Sequence, residues 1–329
     1  MKVIFMIVMI LGCFFGAGFV SGKEIASYFS VFGKYSFVGV IIAILLLFLL
    51  IYFFFGLSKK TDTFDKFINM YFGKSGGIIN LLFAICLFIL TSSMFAGSLV
   101  IAKTININTV LFAIFTAIAC YFVVSGNIGL IEKISLVLVP IILIVILYVC
   151  GIPTKISTTL GDLPLSIISS VNYVFLNIVT LGLFILETGN KYSKKQALIV
   201  SIVCSVIIGI LLFVCNNAIL RFNVEGSSMP ILTLATKKGF VTWVITAITI
   251  WIGLFTTIIS CVFVLSNFVN NYVKNYKLTL VMLLVLTLLF STFGFDFIVG
   301  YIYWIIGFIG IFVVLRVLFA KKKLKIPPN

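Results

Sequence analysis

Histidine is absent from this chain of 329 residues, and only 8 residues are acidic. Without histidine the protein lacks the side chain that most often carries protons near neutral pH and most often binds metals. Its seven cysteines are scattered singly through apolar stretches, with no paired spacing that indicates a metal site or a disulfide framework. No nucleophile motif is present either, so an enzyme is the least favoured class of function and we expect no cofactor.

Charge is also scarce. Charged residues make up 9% of the chain and hydrophobic residues 63%, and the mean hydropathy is +1.34. That apolar share is well above the half that is typical of soluble domains, so we expect an integral protein of the lipid bilayer. A formal charge of +15 would suggest nucleic acid as the partner of a soluble chain. In a membrane chain the placement of Lys and Arg matters more than their sum, and we expect no nucleic-acid partner.

Apolar runs of membrane-spanning length dominate the sequence. A helix needs about 20 residues to cross roughly 30 Å of hydrocarbon. The runs are long and continuous rather than alternating, which favours helices over barrel strands. The sequence predicts helices at residues 3–32, 35–57, 77–102, 110–124, 131–150, 165–188, 196–220, 240–269, 278–293 and 297–320. Most Lys and Arg then fall on the side of the N-terminus, so both termini are expected in the cytoplasm.

The polar stretch 151–164 divides the ten predicted helices into two sets of five. The expected units are residues 1–151, a connecting loop at 152–164, and residues 165–329 with a basic cytoplasmic tail. Because five is odd, the second set must enter the membrane from the opposite side, which produces an inverted repeat. Each set opens with a helix whose middle is interrupted, by three glycines in the first and by "NIVTLG", residues 177–182, in the sixth. We expect both helices to be broken at mid-membrane.

A broken helix in hydrocarbon indicates a binding site. Freed backbone groups cost several kcal/mol each unless they line a cavity or bind something. Freed N–H groups suit a carboxylate and freed carbonyls suit an ammonium group, so the breaks predict a zwitterionic substrate such as an amino acid. The alternative is that the glycines only allow close helix packing. The candidate substrate-binding residues are Gly16, Ala17, Gly18, Phe19, Asn177, Val179, Thr180 and Gly182.

The third helix contributes two further candidates. Its stretch "TSSMFAG", residues 91–97, carries Ser93 and Gly97 among other small and polar residues. These residues could line the substrate pocket or serve helix packing equally well.

Several stretches resemble known transporters. "GAGFVSGKEIASYFSVFG", residues 16–33, resembles the glycine-rich first helix of the YkvI-like bacterial membrane proteins, which are similar to the amino acid–polyamine–organocation superfamily with the LeuT fold. "GLIEKISLVLVP" at 129–140, "MPILTLATKKG" at 229–239 and "LFTTIIS" at 254–260 look like neurotransmitter–sodium symporters. The resemblance implies an all-α, LeuT-like protein of the bacterial plasma membrane, with ten transmembrane helices in a five-plus-five inverted repeat.

The same resemblance implies a site for a sodium ion as the coupling ion. The matching positions are the carbonyls of Gly12, Phe15 and Gly253 and the hydroxyls of Thr256 and Thr257. The two hydroxyls could instead bond back to their own helix. Proton-coupled relatives can carry a lysine midway along the fifth helix, where this chain has no charge, so sodium is favoured over a proton-coupled amino acid or amine transporter.

Lys23, Glu24 and Asp296 are the candidate residues of an outer gate. A charge at a helix centre costs at least roughly 2.5 to 3.5 kcal/mol, so each needs a reason to be there. We expect Lys23 or Glu24 to face Asp296, and the alternative is that both side chains snorkel to the outer interface. The sequence therefore predicts a secondary active transporter that works by alternating access, and its rival is a sensor or receptor subunit of the same fold that does not transport.

Overall fold

A computed structural model describes residues 2–61, 63–126, 129–154 and 160–323. Residues 155–159 of the predicted connecting loop and 324–329 of the predicted tail lie outside the described residues. Among the described residues, six helical stretches are long and apolar enough to cross a membrane: Ser30–Thr61, Phe64–Thr104, Leu163–Lys191, Lys194–Phe222, Phe240–Asn270 and Phe295–Ala320. Shorter apolar helices cover Lys2–Phe14, Thr109–Ser125, Val137–Cys150 and Tyr276–Ser291. The chain is therefore a multi-pass helical membrane protein, as its composition predicts.

The first half of the chain begins with a segmented helix. Its pieces are α1 (Lys2–Phe14), α2 (Ala17–Ser21) and α3 (Lys23–Tyr28), and a 3₁₀ segment at Ser30–Tyr35 follows. The remaining helices of this half are α4 (Ser36–Thr61), α5 (Phe64–Phe72), α6 (Gly76–Thr104), α7 (Thr109–Ser125) and α8 (Gly129–Cys150).

The helices of the second half are interrupted less often. Its helices are α9 (Leu163–Thr188), α10 (Lys194–Phe222), α11 (Pro230–Thr236), α12 (Phe240–Val273), α13 (Tyr276–Ser291), α14 (Phe295–Phe297) and α15 (Tyr303–Lys323). A π-helical turn at Ile298–Ile302 joins the last two. The bounds of α4, α6 to α10, α12 and α13 agree with the predicted helices to within four residues.

Polar side chains mark where several of these helices begin. Asp162 accepts the Leu165 N–H at 2.8 Å before α9, and Asn108 accepts the Val110 N–H at 3.0 Å before α7. These acceptors satisfy first-turn amides that have no carbonyl within the helix. Capping therefore sets the helix starts that the apolar pattern alone leaves uncertain.

Helix α5 was not among the predicted helices because it is too short to span a membrane. It buries Phe67 and Tyr71 against the rest of the protein, and its first amide, from Phe64, donates to the Glu187 carboxylate at 2.8 Å. Glu187 lies at the end of α9, so α5 is fastened to that helix by a charge-assisted hydrogen bond.

The packing places the segmented helix at the centre. Helix α1 contacts α8, α9 and α10, whereas α2 contacts α6, α11 and α12. Helix α9 packs along α4 and α15, and α6 packs along α12 and α13. Any site at the junction of α1 and α2 is therefore enclosed by α6, α8, α9 and α12.

The 3₁₀ segment after α3 is fixed to α10 by one buried amide. The Ser30 hydroxyl donates to Asn216 Oδ1 at 2.8 Å, and Asn216 Nδ2 donates to the Ser36 hydroxyl at 2.7 Å. Gly33, between the two serines, has a φ of +54°, a backbone conformation that favours glycine. Asn216 thus holds both ends of a sharp bend in the chain.

Candidate functional site

The first span is broken at Phe15 and Gly16. Gly16 is extended, with φ −69° and ψ −179°, and α2 begins at the next residue. Four glycines lie between residues 12 and 22, and each costs a helix about 1 kcal/mol relative to alanine. Gly22 then takes a φ of +82° between α2 and α3. The glycine-rich stretch therefore interrupts the helix twice, first beyond Gly12 and again at Gly22.

The break exposes the start of α2. The first amides of a helix, here those of Ala17, Gly18 and Phe19, have no carbonyl partner within it. The Gly16 carbonyl is already used, because it accepts the Val20 N–H at 3.1 Å. The candidate carboxylate donors of the sequence analysis thus lie in the first turn of α2.

Glycines bring the neighbouring helices close to this break. A β-carbon on Gly12 would lie 3.2 Å from Val139 Cγ2 of α8, and one on Gly16 would lie 3.4 Å from Met94 Cε of α6. On α6 itself, Gly97 is in close contact with Leu254 of α12. These glycines allow α1, α6, α8 and α12 to meet around one point.

The candidate sodium ligands of α12 lie on the same side. A β-carbon on Gly253 would lie 3.7 Å from Val20, which belongs to α2. The hydroxyls of Thr256 and Thr257 each donate to the Gly253 carbonyl at 3.0 Å. The back-bonded arrangement considered for these threonines is therefore the one present. Each hydroxyl keeps its oxygen lone pairs, so the bond to Gly253 does not by itself exclude a cation.

The predicted break in the sixth helix is wrong. Helix α9 is continuous from Leu163 to Thr188. Asn177 Nδ2 donates to the Tyr173 carbonyl at 3.0 Å, and the Thr180 hydroxyl donates to the Asn177 carbonyl at 3.0 Å. These polar side chains therefore bond to their own helix and do not free its backbone.

Two other candidates on α9 have packing roles. A β-carbon on Gly182 would lie 2.5 Å from the Phe54 ring, so this glycine makes room for α4. Val179 is 2% exposed and lines an apolar pocket with Phe54 and Phe83. The carbonyls between residues 177 and 180 belong to a regular helix, so their predicted role as partners of an ammonium group is withdrawn.

Glu24 is buried, contrary to the alternative that it snorkels to the interface. The residue is 5% exposed, and its Oε2 atom is buried without a hydrogen-bond partner among the described residues. A β-carbon on Gly18 would overlap the Glu24 carboxyl group. The turn at Gly22 folds Glu24 back, so its carboxyl group lies against the start of α2.

Tyrosines from three helices lie near this carboxyl group. Glu24 interacts electrostatically with the hydroxyls of Tyr28, Tyr173 and Tyr303. The Tyr28 and Tyr173 hydroxyls are buried and have no hydrogen-bond partner in the ranges that the structure describes. The Tyr303 hydroxyl instead forms a short hydrogen bond with the Ser93 hydroxyl of α6. Ser93, a predicted pocket residue, is thus linked to the same cluster.

The aromatic faces of the cluster pack on each other. Tyr28 stacks on Trp304, with ring centroids 5.3 Å apart and planes 14° apart. The Tyr28 and Tyr173 rings are 5.4 Å apart, and Phe14 meets Tyr173 edge-on at 6.0 Å. The rings of Tyr28 and Tyr173 are therefore held in place by packing against each other and against Trp304 and Phe14.

Lys23 points away from that cluster. Its Nζ lies 2.5 Å from Asp296 Oδ1 and donates to the Ser227 carbonyl at 3.3 Å. The Ser228 hydroxyl forms a short hydrogen bond with the other Asp296 oxygen. The structure thus brings Lys23 and Asp296 together and leaves Glu24 out of the pair.

The sequence analysis missed Tyr173, Tyr303 and the Ser227–Ser228 contacts. A buried tyrosine hydroxyl needs a polar partner, so tyrosines inside apolar helices were the available signal. Which helices bring them together could not be read from spacing along the chain.

Comparisons with known proteins identify the fold. No family model and no curated protein sequence matches the chain. A solved structure of a Na⁺-coupled sialic acid symporter, in a substrate-bound outward-open state, matches with a TM-score of 0.65. The match covers 97% of this chain and 78% of the symporter, at 14% sequence identity. At that identity the match establishes a shared fold, whereas transport, the solute and the coupling ion have to be argued from the residues.

Proposed function

We propose that the chain is a secondary active transporter that moves a small zwitterionic solute, an amino acid, by alternating access coupled to sodium. The observation that carries the proposal is the break at Phe15 and Gly16 in the first span, within a fold shared with a sodium-coupled symporter. A break in hydrocarbon costs several kcal/mol for each unpaired backbone group, and ligand binding offsets that cost.

The proposed architecture is a five-plus-five inverted repeat in a bacterial plasma membrane. Its first unit runs from α1 to α8 and its second from α9 to α15, with α5 and α11 outside the ten spans. Six long and four shorter apolar helices make ten in the described part of the chain, which is the number of spans that the proposal needs. The resemblance of residues 16–33 to YkvI-like proteins supports this assignment, and the excess of Lys and Arg supports cytoplasmic termini.

The solute carboxylate is proposed to bind the first-turn amides of α2, at Ala17, Gly18 and Phe19. Those amides carry the partial positive charge of a helix start, which favours an anionic group. Because Gly16 has no side chain, a ligand can approach the backbone closely there. Ser93 and Gly97 of α6 are proposed to form the facing wall.

The proposed sodium site lies between α1 and α12. Sodium is a hard cation that prefers a cage of oxygens, which the carbonyls of Gly12, Phe15 and Gly253 can supply together with two threonine hydroxyls. The short distance from Gly253 to Val20 supports this assignment, because it brings α12 next to the broken span. Thr256 and Thr257 would turn their oxygen lone pairs toward the ion. Both hydroxyls donate to the Gly253 carbonyl, which has two lone pairs, so one of them would release that carbonyl for it to bind the ion as well.

Uptake into liposomes tests the proposal. Purified protein is reconstituted, and uptake of radiolabelled amino acids is measured with an inward sodium gradient or an equal choline gradient. Saturable accumulation that requires sodium supports the proposal. Stabilisation of the protein by an amino acid without any flux indicates a sensor, and uptake driven by a proton gradient without sodium indicates proton coupling.

The threonines of α12 provide a matched pair for the sodium site. Thr257→Ala should abolish the sodium dependence of uptake because it removes a proposed ligand. Thr246→Ala is the control, since that buried hydroxyl donates to its own helix at 2.7 Å, about three turns away. Unchanged sodium dependence in Thr257→Ala would show that the cation site is assigned wrongly.

A further inference from the structure

The continuous helix α9 leaves one end of the proposed zwitterion without a partner. A carboxylate at the start of α2 accounts for the negative end of the solute. The carbonyls that were expected to bind the positive end belong to an unbroken helix, and the Asn177 carbonyl accepts a bond from Thr180. A different acceptor for an ammonium group must lie near the start of α2.

Glu24 is the charged group that lies there. Its carboxyl group touches Gly18, which belongs to the first turn of α2. Within the described residues no basic side chain forms an ion pair with Glu24, because the neighbouring Lys23 pairs with Asp296. A carboxylate held in a span without a partner costs at least roughly 2.5 to 3.5 kcal/mol, and a bound cation or a proton would remove that cost.

The surroundings of Glu24 favour an organic ammonium over a metal ion. A hard metal cation needs several oxygen ligands, whereas the groups near this carboxyl are tyrosines, of which Tyr28 stacks on Trp304 and Tyr173 meets Phe14 edge-on. Aromatic faces attract ammonium groups through their quadrupole, and the Tyr28 hydroxyl, which is buried without a hydrogen-bond partner in the described part of the chain, can accept an N–H group.

We propose that the Glu24 carboxylate is the counter-ion of the solute's ammonium group, with Tyr28 and Tyr173 completing that subsite. This inference rests on the proposed function, since it names the group that holds one end of the zwitterion. Because Glu24 adjoins Gly18, the ammonium and carboxylate subsites are neighbours. That spacing fits an α-amino acid, whose two charged groups are attached to the same carbon.

Matched ligand pairs test the assignment by thermal shift in sodium buffer. The probes are L-alanine against L-lactate, L-leucine against L-2-hydroxyisocaproate, and L-phenylalanine against L-phenyllactate, so that only the amino group changes. The wild type should bind the best amino acid on the order of 100-fold more tightly than its hydroxy acid. Glu24→Gln should lose that preference, because the amide has no charge to pair with the ammonium group.

Asp65→Asn is the control variant. Asp65 is exposed in the first turn of α5 and belongs to none of the proposed sites, so this change should leave the preference for amino acids intact. Circular dichroism and size-exclusion profiles establish that each variant is folded.

A second measurement uses the wild type alone and decides the question if Glu24→Gln does not fold. Dicyclohexylcarbodiimide modifies carboxyl groups inside membrane proteins, and mass spectrometry locates the modified residue. We expect Glu24 to be modified and the bound amino acid to slow its modification at least about tenfold, as expected when the ligand covers the carboxyl. The hydroxy acid should give no such protection.

Three results would overturn the assignment. If folded Glu24→Gln still prefers the amino acid, Glu24 is not the counter-ion, although the transport proposal stands. Equal binding of both ligands by the wild type, or modification of Glu24 that an amino acid does not slow, assigns the carboxyl to another role such as proton binding. If the wild type binds neither class of ligand and transports none, the proposed function itself fails.

Discussion

The first span and α9 occupy the same position in the two halves of the sequence, and both carry small and polar residues in an apolar helix. The first span breaks at Phe15 and Gly16 and again at Gly22, whereas α9 is continuous over 26 residues. The stretch from Gly12 to Gly22 contains four glycines, and the stretch predicted to break in α9 contains one.

The difference lies in where the polar side chains find partners. In α9 the side chains of Asn177 and Thr180 bond to carbonyls three or four residues earlier, which is compatible with a helix. Glycine has no side chain to do this, and it lowers the cost of leaving the helical conformation. A run of glycines therefore breaks a span, and a polar run does not.

A proline placed in α9 and a proline placed at the start of α2 should give the largest difference in stability. Val179→Pro should destabilise the protein by about 3 kcal/mol or more, because proline removes a backbone hydrogen bond and clashes with the preceding turn. Ala17→Pro should cost far less, since proline is favoured at the first position of a helix and the preceding Gly16 is already extended. The midpoint of thermal unfolding in detergent measures both.

The proline pair can also refute the comparison. Equal loss in both variants would show that α1 and α2 form one continuous helix, and a tolerated Val179→Pro would show that α9 has a break. Ala17→Pro should in addition weaken solute binding, because it removes one of the amides proposed to bind the carboxylate.

A substitution at Gly22 should have the next largest effect. Gly22 has a φ of +82°, and for alanine this conformation costs about 1–2 kcal/mol. A β-carbon there would also lie 3.2 Å from the backbone nitrogen of Ile231. Gly22→Ala should therefore lower the unfolding midpoint clearly.

Gly56→Ala is the matched control for Gly22→Ala. Gly56 lies in α4, and a methyl group added there would have no atom of a neighbouring element within 4 Å. Alanine at this position should therefore be neutral or stabilising by up to about 1 kcal/mol. If both glycine variants melt alike, the second interruption of the first span is not fixed by Gly22.

Breaking the ion pair between Lys23 and Asp296 should have the smallest effect on stability. Asp296 is 52% exposed, and pairs in such positions contribute about 1 kcal/mol or less. Asp296→Asn should thus lower the unfolding midpoint less than Gly22→Ala does, and the double change Lys23→Asp with Asp296→Lys should restore it. A loss as large as that of Gly22→Ala would make the pair a structural anchor of the first span.

Much of the fold could be predicted from the apolar pattern. A membrane helix must satisfy its backbone internally, so long apolar runs define helices whatever their neighbours are. The glycines between residues 12 and 22 likewise predicted the break in the first span, since conformational freedom is a local property. Helix α5 escaped prediction because nine residues that pack on one face resemble a loop of mixed polarity.

The site was less predictable because it depends on long-range contacts. Asp296 was considered as the partner of either Lys23 or Glu24. Because these two residues are adjacent in the sequence, the sequence does not show which of them faces Asp296. The turn at Gly22 decides the matter by directing Lys23 toward Asp296 and Glu24 toward Gly18. Tyr173 and Tyr303 reach Glu24 from α9 and α15, which no local pattern reveals.

The amide of Asn216 has a consequence for how the molecule can move. By bonding Ser30 and Ser36 at once, it joins the end of the segmented helix, the start of α4 and the C-terminal part of α10 into one mechanical unit. The 3₁₀ bend is thereby tied to α10 at both ends. A swing of α1 relative to that unit would fall on the two interruptions of the first span, at Phe15–Gly16 and at Gly22, and Glu24 and Tyr28, which lie beyond both, would stay beside α10.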